Sequence, residues 1–442
     1  MRDLMAIGAM LMIFSMAVTD TFIAYLLWGW SGLIGLDGYL YGFMARQPYV
    51  QIFAMMTLVM VGMRRDTQQI KFELNRTSGL LIGFACHGLL VATFAFDGIP
   101  TNWQIYTNIC KTFLFCLIMP MLVTSRLRIH AIVISIILAL SFHGLLDGLK
   151  FLSSGGSHNA RGVRFGDNNL FALVLCTVIP LLIYVYKYSN QKWLKPVFLG
   201  LTFLVVLAVV ATKSRGGLIT LLVIAAMMIW KSKRKVAGLM ILTVFTALVM
   251  AMASDAWFER MNSVQDASGD NSFMTRVAVW KKSTAIALDH PLFGGGFNAV
   301  ESPPTFQKYR YSQGLLGFID TPDPFGFVAH SIYFQVMGDT GFLGFFIYIA
   351  LWASALRTAT EINKIVSTQG EQSAWAADLA NALKISLIAF LTGGALLSAA
   401  YYDISFVFMM LLEVVKQNLL RNATHKNKSD RKFMSHQQGI AY

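Results

Sequence analysis

A few charged and polar residues stand where a very apolar chain has little reason to carry them. In "ATKSRGGLIT", residues 211–220, Lys213, Arg215, Gly216 and Gly217 interrupt two long hydrophobic runs. Arginine offers a forked donor that fits a phosphate, and glycines let backbone approach closely. The helix that follows aims the positive end of its dipole at the same place. Together these suit an anion site. The competing reading is snorkelling, in which long side chains reach lipid headgroup phosphates, and it fits Lys213 better than Arg215. His330, in "FVAHSIYFQVMGDTGFLG", titrates near neutrality and suits a general base; a structural hydrogen-bonder at a helix start is the alternative. "GDNNLFA", residues 166–172, gathers Asp167, Asn168 and Asn169. One helix cap accounts for one of them, and sugar or acceptor binding is open to the others.

Further arginines, Arg161, Arg164, Arg260, Arg276 and Arg310, fall in the connecting segments, with His158 and His290. Arg276 opens a helical pattern in which Trp280, Ile286 and Leu288 form an apolar face, so it reads either as a surface charge or as part of a site. His290 precedes Pro291 and reads as part of a bend. The triplet Gly294–Gly296 lacks the Lys-Ser/Thr that completes a phosphate loop. There is no H-E-x-x-H motif or Cys/His spacing for a metal, and Asp320 and Asp323 read as turn residues. No Ser-His-Asp set is identifiable. The four cysteines, Cys86, Cys110, Cys116 and Cys176, lie in apolar runs and read as small core residues.

The elements that must position these residues follow from composition. Of 442 residues, 56% are hydrophobic and 13% charged, against about a quarter charged in soluble domains. Several runs reach about 20 residues almost without charge, enough to cross a hydrocarbon core of about 30 Å. They do not alternate as barrel strands do. The class is a polytopic α-helical membrane protein. A net charge of +13 in such a chain points to basic cytoplasmic loops rather than to nucleic acid. Basic clusters at 64–71, 125–128, 187–195, 231–235 and 421–432, placed inside, give a consistent alternation. Spans then fall near 48–63, 77–96, 105–124, 129–151, 167–186, 194–212, 216–230, 236–252, 330–357, 383–398 and 404–418. The apolar run 4–36 precedes them as one long span or two short ones broken near Asp20, and its basic, uncleaved start reads as a retained first span. About twelve crossings result. An outside segment from about 253 to 329 is helical in pattern at 273–288, then rich in Pro and Gly; its length marks it as functional. Three regions are expected: 1–165, an N-terminal membrane region; 166–418, a catalytic membrane region including the loop; and 419–442, a basic cytoplasmic tail. No cytoplasmic part is large enough to bind ATP.

"TKSRGGL", then "RVAVWKKSTAIALDHPLFGGGFNAV", then "HSIYFQVMGDTGFLG" resembles the Wzy-C superfamily of O-antigen ligases, O-antigen polymerases and protein O-oligosaccharyltransferases. "YLLWGWSGLIG", "HGLLDGLKFLSSGG" and "GDNNLFALVLCTVIPLL" are similar to exosortase-A-associated O-glycosylation ligases and to pilin-modifying O-glycosyltransferases. The resemblance spans roughly residues 1–415. It implies a C-type glycosyltransferase at the outer face of the bacterial inner membrane, with a glycan on undecaprenyl diphosphate as donor. The family's phosphate-contacting arginines fall on Arg215 and Arg276 and its essential histidine on His330. Gly216 and Arg164 are expected beside the donor diphosphate, and Asp167, Asn168 and Asn169 beside sugar or acceptor. No metal or other cofactor is expected, and single displacement would invert the anomeric centre. The outside segment is short beside those of many O-antigen ligases, and an appended repeat domain is lacking. The acceptor thus stays open between an exported protein such as a pilin, lipid A core, and a growing polysaccharide. A transporter or flippase fits less well, because the charges collect at the outer edge rather than near the midplane.

Overall fold

A computed structural model describes residues 2–63, 74–162, 164–252, 271–322 and 328–438, and over these the chain is entirely helical, without strands. The basic stretch 64–73, Arg260 and Asp323 lie outside the described residues. The helices are α1 (Arg2–Thr19), α2 (Thr21–Ile34), α3 (Gly42–Ala45), α4 (Tyr49–Gly62), α5 (Arg76–Thr93), α6 (Asn102–Leu122), α7 (Arg126–Ser153) and α8 (Asn168–Tyr188). They continue as α9 (Leu194–Ala211), α10 (Arg215–Lys231), α11 (Lys235–Met252), α12 (Asn271–Asp289), α13 (Pro303–Tyr309), α14 (Ile332–Gln369), α15 (Ala374–Gly394) and α16 (Asp403–Gln438).

Helix starts follow from short polar side chains that accept the first free backbone N–H groups. Asp20 breaks the first apolar run in two: its extended backbone ends α1, and its carboxylate accepts from Phe22 N to begin α2. Asn75 and Ser78 form a reciprocal capping box at α5. Asp167 caps α8, and Ser214 caps α10. Among the described residues, seven helices are long and apolar enough to cross a membrane: α5, α6, α7, α8, α9, α14, and a stretch from Glu371 through α15. Shorter apolar helices occupy Met10–Thr19, Thr21–Ile34, Tyr49–Gly62 and Lys235–Leu248. A helix therefore stands at every expected span position, and seven meet the length a bilayer sets.

α8 lies at the centre, packed on α7, α9, α10 and α15. It is apolar all round, as a helix enclosed by others should be. The cysteines divide: Cys116 and Cys176 are buried, whereas Cys86 is exposed and Cys110 half-buried. The last two lie near the Tyr106 hydroxyl, where α5 and α6 meet.

α14 is broken at Gly341, whose φ of 68° and ψ of −173° no side-chain-bearing residue adopts without strain. The Gly-rich segment fills the break. Gly295 N donates to Gly338 O at 3.0 Å and Gly296 N to Asp339 O at 3.0 Å, while Phe342 N donates to Pro291 O at 2.8 Å. A Cβ on Gly294 would lie 2.5 Å from Gly341 N. The glycine triplet thus interlocks the outer segment with the bent helix. α12 runs over the same end, packed on α14. Its Lys282 is buried, donates to Val300 O at 2.7 Å and faces the Phe306 ring at 4.7 Å; burial pushes its ammonium pKa down to about 8. Ile286 is buried, as the helix pattern requires, but Leu288 is 48% exposed, because α12 ends one residue later and its last turn leaves the covered face.

Candidate functional site

The turn before α10 is held by the polar residues that open α8. Asn168 Nδ2 donates to Thr212 O at 2.8 Å, and Ser214 Oγ donates to Asn169 Oδ1 at 2.7 Å. Ser214 Oγ in turn accepts from Gly217 N at 3.1 Å, completing the cap. Asp167 is occupied with capping α8, accepting from Asn169 N and Leu170 N. The three polar residues therefore join two helix starts into one rigid corner, and the observed bonds of Asn168 and Asn169 go to the turn.

The two glycines do different work. A Cβ on Gly217 would lie 2.6 Å from Ala172 Cβ, so its absence lets α10 pack against α8. A Cβ on Gly216 would meet only Ser214 Oγ, at 3.9 Å, so that side is open. Arg215 is the first residue of α10 and stands at this open side, where the helix dipole is positive. Lys213 occupies the left-handed backbone region at φ 53°, which turns the chain sharply into the cap.

His330 is set by three other elements. Its own φ is 46°, a left-handed conformation uncommon for a non-glycine residue. Its backbone N donates to Ser398 Oγ at 2.8 Å. The preceding carbonyl, of Ala329, accepts from Trp280 Nε1 of α12 at 2.7 Å, and the Trp280 ring stacks on Phe334 at 4.7 Å. Arg276 lies one turn before Trp280 on α12, hence on the same face, and its Nη1 reaches Leu396 O at 3.5 Å. His330 is half-buried. Burial lowers its pKa from the ordinary histidine value, the Arg276 guanidinium lowers it further, and the Asp167 carboxylate opposes both. Burial and the Arg276 cation thus favour the neutral imidazole, and the Asp167 carboxylate acts in the opposite sense.

The structure thus gathers Arg276, His330 and Asp167 within electrostatic reach, and ties Asn168 and Asn169 to the turn that carries Arg215 and Gly216. Arg164, expected beside the donor diphosphate, lines a neighbouring cavity together with Asp403. His158 pairs with Asp147 at 2.9 Å. His290 packs its ring edge-on to Phe96 at 4.9 Å, within the bend. The Arg310 guanidinium lies over Phe306 and Tyr311. Among the described residues, no group of three or more His, Cys, Asp or Glu could hold a metal.

Residues 200–349 match the family model described as O-antigen ligase, Wzy-C. This stretch contains Arg215, Arg276 and His330 in the order given by the corner. Over that stretch the chain is similar to the Wzy-C O-antigen ligases. A second model, a family of unknown function, matches residues 1–190 and takes in Arg164, Asp167, Asn168 and Asn169. No curated protein matches the chain. The corner therefore draws on both matched regions: α10, α12 and His330 from one, the start of α8 from the other. It also uses residues beyond both, Leu396 and Ser398, which the sequence pattern did not single out. Their only signal is a short polar break, "LLSAAYYDIS", between two apolar spans. Trp280 was legible as an apolar face residue but not as the donor that fixes the His330 backbone.

Proposed function

We propose that the protein transfers a glycan from undecaprenyl diphosphate to a hydroxyl acceptor at the outer face of the bacterial inner membrane. The observation that carries this reading is His330, held in a left-handed conformation within electrostatic reach of Arg276 and Asp167, with its imidazole biased toward the neutral form. The match of residues 200–349 to O-antigen ligases supports glycan transfer or ligation as the reaction class.

The acceptor hydroxyl gives its proton to the neutral imidazole of His330 as its oxygen bonds to the anomeric carbon. The bond from that carbon to the phosphate oxygen breaks, and the electron pair leaves with the diphosphate. Charge grows on the leaving group, where Arg215, Arg276 and the positive end of the α10 dipole stabilise it. Gly216 leaves room for the diphosphate to approach that turn. One displacement inverts the anomeric centre and needs no metal. Asp167, besides capping α8, stabilises the imidazolium formed during transfer.

A serine or threonine hydroxyl of an exported protein such as a pilin is the acceptor we favour, from the resemblance of the N-terminal half to pilin-modifying enzymes. Ligation to lipid A core is the second reading, favoured by the O-antigen ligase match itself. The test is Arg215→Ala, Arg276→Ala and His330→Ala in proteoliposomes charged with lipid-linked glycan, offered a pilin and lipid A core in turn. Loss of transfer in each variant is expected, with wild-type protein modifying the pilin. Unimpaired transfer in all three variants would sink the mechanism, and modification of lipid A core alone would replace the acceptor.

A further inference from the structure

A second polar site lies beside the corner, in a cavity lined by α2, α6 and α7 together with Arg164 and Asp403. α2 and α6 meet where Tyr25 stacks on Phe115 at 4.4 Å and donates its hydroxyl to Phe115 O at 2.9 Å. Gly29 permits the contact, since a Cβ there would lie 2.8 Å from the Phe115 ring. Beyond it, toward the end of the bundle that carries His330, a cavity of about 370 Å³ separates the two helices.

The cavity is graded. Phe115, Ile132 and Ile136 make its deep wall apolar. Asn108, Lys111, Arg164 and Asp403 make its mouth polar. Asp403 opens α16 and accepts from Thr112 Oγ1 at 2.7 Å, and the residue is exposed to the cavity. Arg164 passes over Gly35, where a Cβ would lie 2.8 Å from its Cδ. Among the described residues, no hydrogen bond or ion pair engages the Arg164 guanidinium, and Lys111 has only a long 3.4 Å bond to Asn108. Two cations and one carboxylate thus face one cleft above an apolar floor, with Arg164 within electrostatic reach of Asp403 but no ion pair within 4 Å between them among the described residues.

We propose that this cleft binds a zwitterionic phospholipid. The phosphate lies between Arg164 and Lys111, the headgroup ammonium lies against Asp403, and the first methylenes of an acyl chain run down to Phe115 and Ile136. The charge set selects this chemistry. A neutral sugar offers Arg164 and Lys111 no anion, and a purely anionic headgroup offers Asp403 no cation beyond Arg164. An amphiphile also matches the polar mouth and apolar floor. The inference is independent of the transfer reaction and gives the N-terminal region of unknown function a ligand.

The test uses the full chain, purified in detergent, delipidated, and titrated with short-chain phosphatidylethanolamine or phosphatidylglycerol. Retained lipid is read by native mass spectrometry and thermal stabilisation by melting. Phosphatidylethanolamine should bind about tenfold more tightly, the equivalent of one well-placed charge contact. Asp403→Asn should abolish that preference, while Arg164→Gln and Lys111→Gln weaken both lipids. Should these variants fold poorly, Gly32→Leu supplies a second route. Gly32 lines the cavity and a Cβ there meets nothing within 4 Å, so leucine fills the cleft without a clash. It should remove lipid binding at an unchanged melting temperature of the lipid-free protein. Equal affinity for the two lipids in the wild type, or full lipid retention in Gly32→Leu, would overturn the proposal. So would displacement of the phospholipid by polyprenyl monophosphate at lower concentration, which would assign the cleft to an isoprenoid lipid.

Discussion

The corner formed by α8, α10, α12 and the start of α14 and the cleft between α2 and α6 gather cations at the same end of the bundle, but they hold their polar groups differently. In the corner nearly every polar atom has a fixed partner: Asn169 receives Ser214, Thr212 receives Asn168, Ser398 receives His330 N, and Ala329 receives Trp280. In the cleft, Arg164 and Lys111 face open space with at most one long bond. A reaction gains from groups that need no rearrangement as charge develops. A lipid headgroup, which binds without chemistry, needs only complementary charge around a space it can enter. Preorganisation thus separates a place suited to bond-making from a place suited to holding.

The largest effect should separate the two regions most sharply. His330→Ala is expected to slow transfer by about 10²–10⁴, the usual contribution of a general base, measured as initial rates in proteoliposomes. An equal loss in Asp403→Asn, with lipid supplied, would break the distinction between corner and cleft. Next comes the interlock that carries His330. Gly341→Ala forces a side chain into a left-handed backbone and to within 2.6 Å of Pro291 O. It should cost on the order of 1–3 kcal/mol, seen as a lower melting temperature in detergent. Ser214→Ala removes the α10 cap and the bond to Asn169; a cost of about 1 kcal/mol is expected for the cap. Because the turn carries Arg215, the KM for lipid-linked donor should rise with it.

The smallest effect is a shift of pH profile. His330 acts when neutral, and its pKa is lowered from the ordinary histidine value, first by burial and then by Arg276. Activity should therefore persist below pH 6.5, falling only as pH drops through the lowered pKa. Arg276→Gln removes the cation that disfavours imidazolium, so the acid limb of residual kcat/KM should move to higher pH. Asp167→Asn, which preserves capping ability, removes the anion that favours imidazolium and should move the limb to lower pH. Movement of both limbs in the same direction would refute the electrostatic arrangement of the corner.

Much of the scaffold was legible in the sequence, because helix existence rests on local information. Hydropathy over one span's length placed the helices, with spans starting near 167 and 216 and a break near Asp20 as one of two readings of the first apolar run; the structure shows that break and the caps at Asp167 and Ser214. The positions of Arg215, Arg276 and His330 stood out because charge is rare beside such runs. What the sequence could not supply were partnerships across the fold. Ser214 and Asn169 are 45 residues apart, Trp280 and Ala329 are 49 apart, and His330 and Ser398 are 68 apart. No local pattern encodes such pairs. The glycine triplet likewise reads as a loose loop until the Gly341 break is placed against it, and Arg164 reads as one more outer arginine until Gly35 and Asp403 surround it. Composition and periodicity determined that the chain is a bundle of membrane helices with chemistry at one end. Packing alone decided which of its polar residues brace one another and which stay open, because that depends on the distance between helices rather than on the order of residues along them.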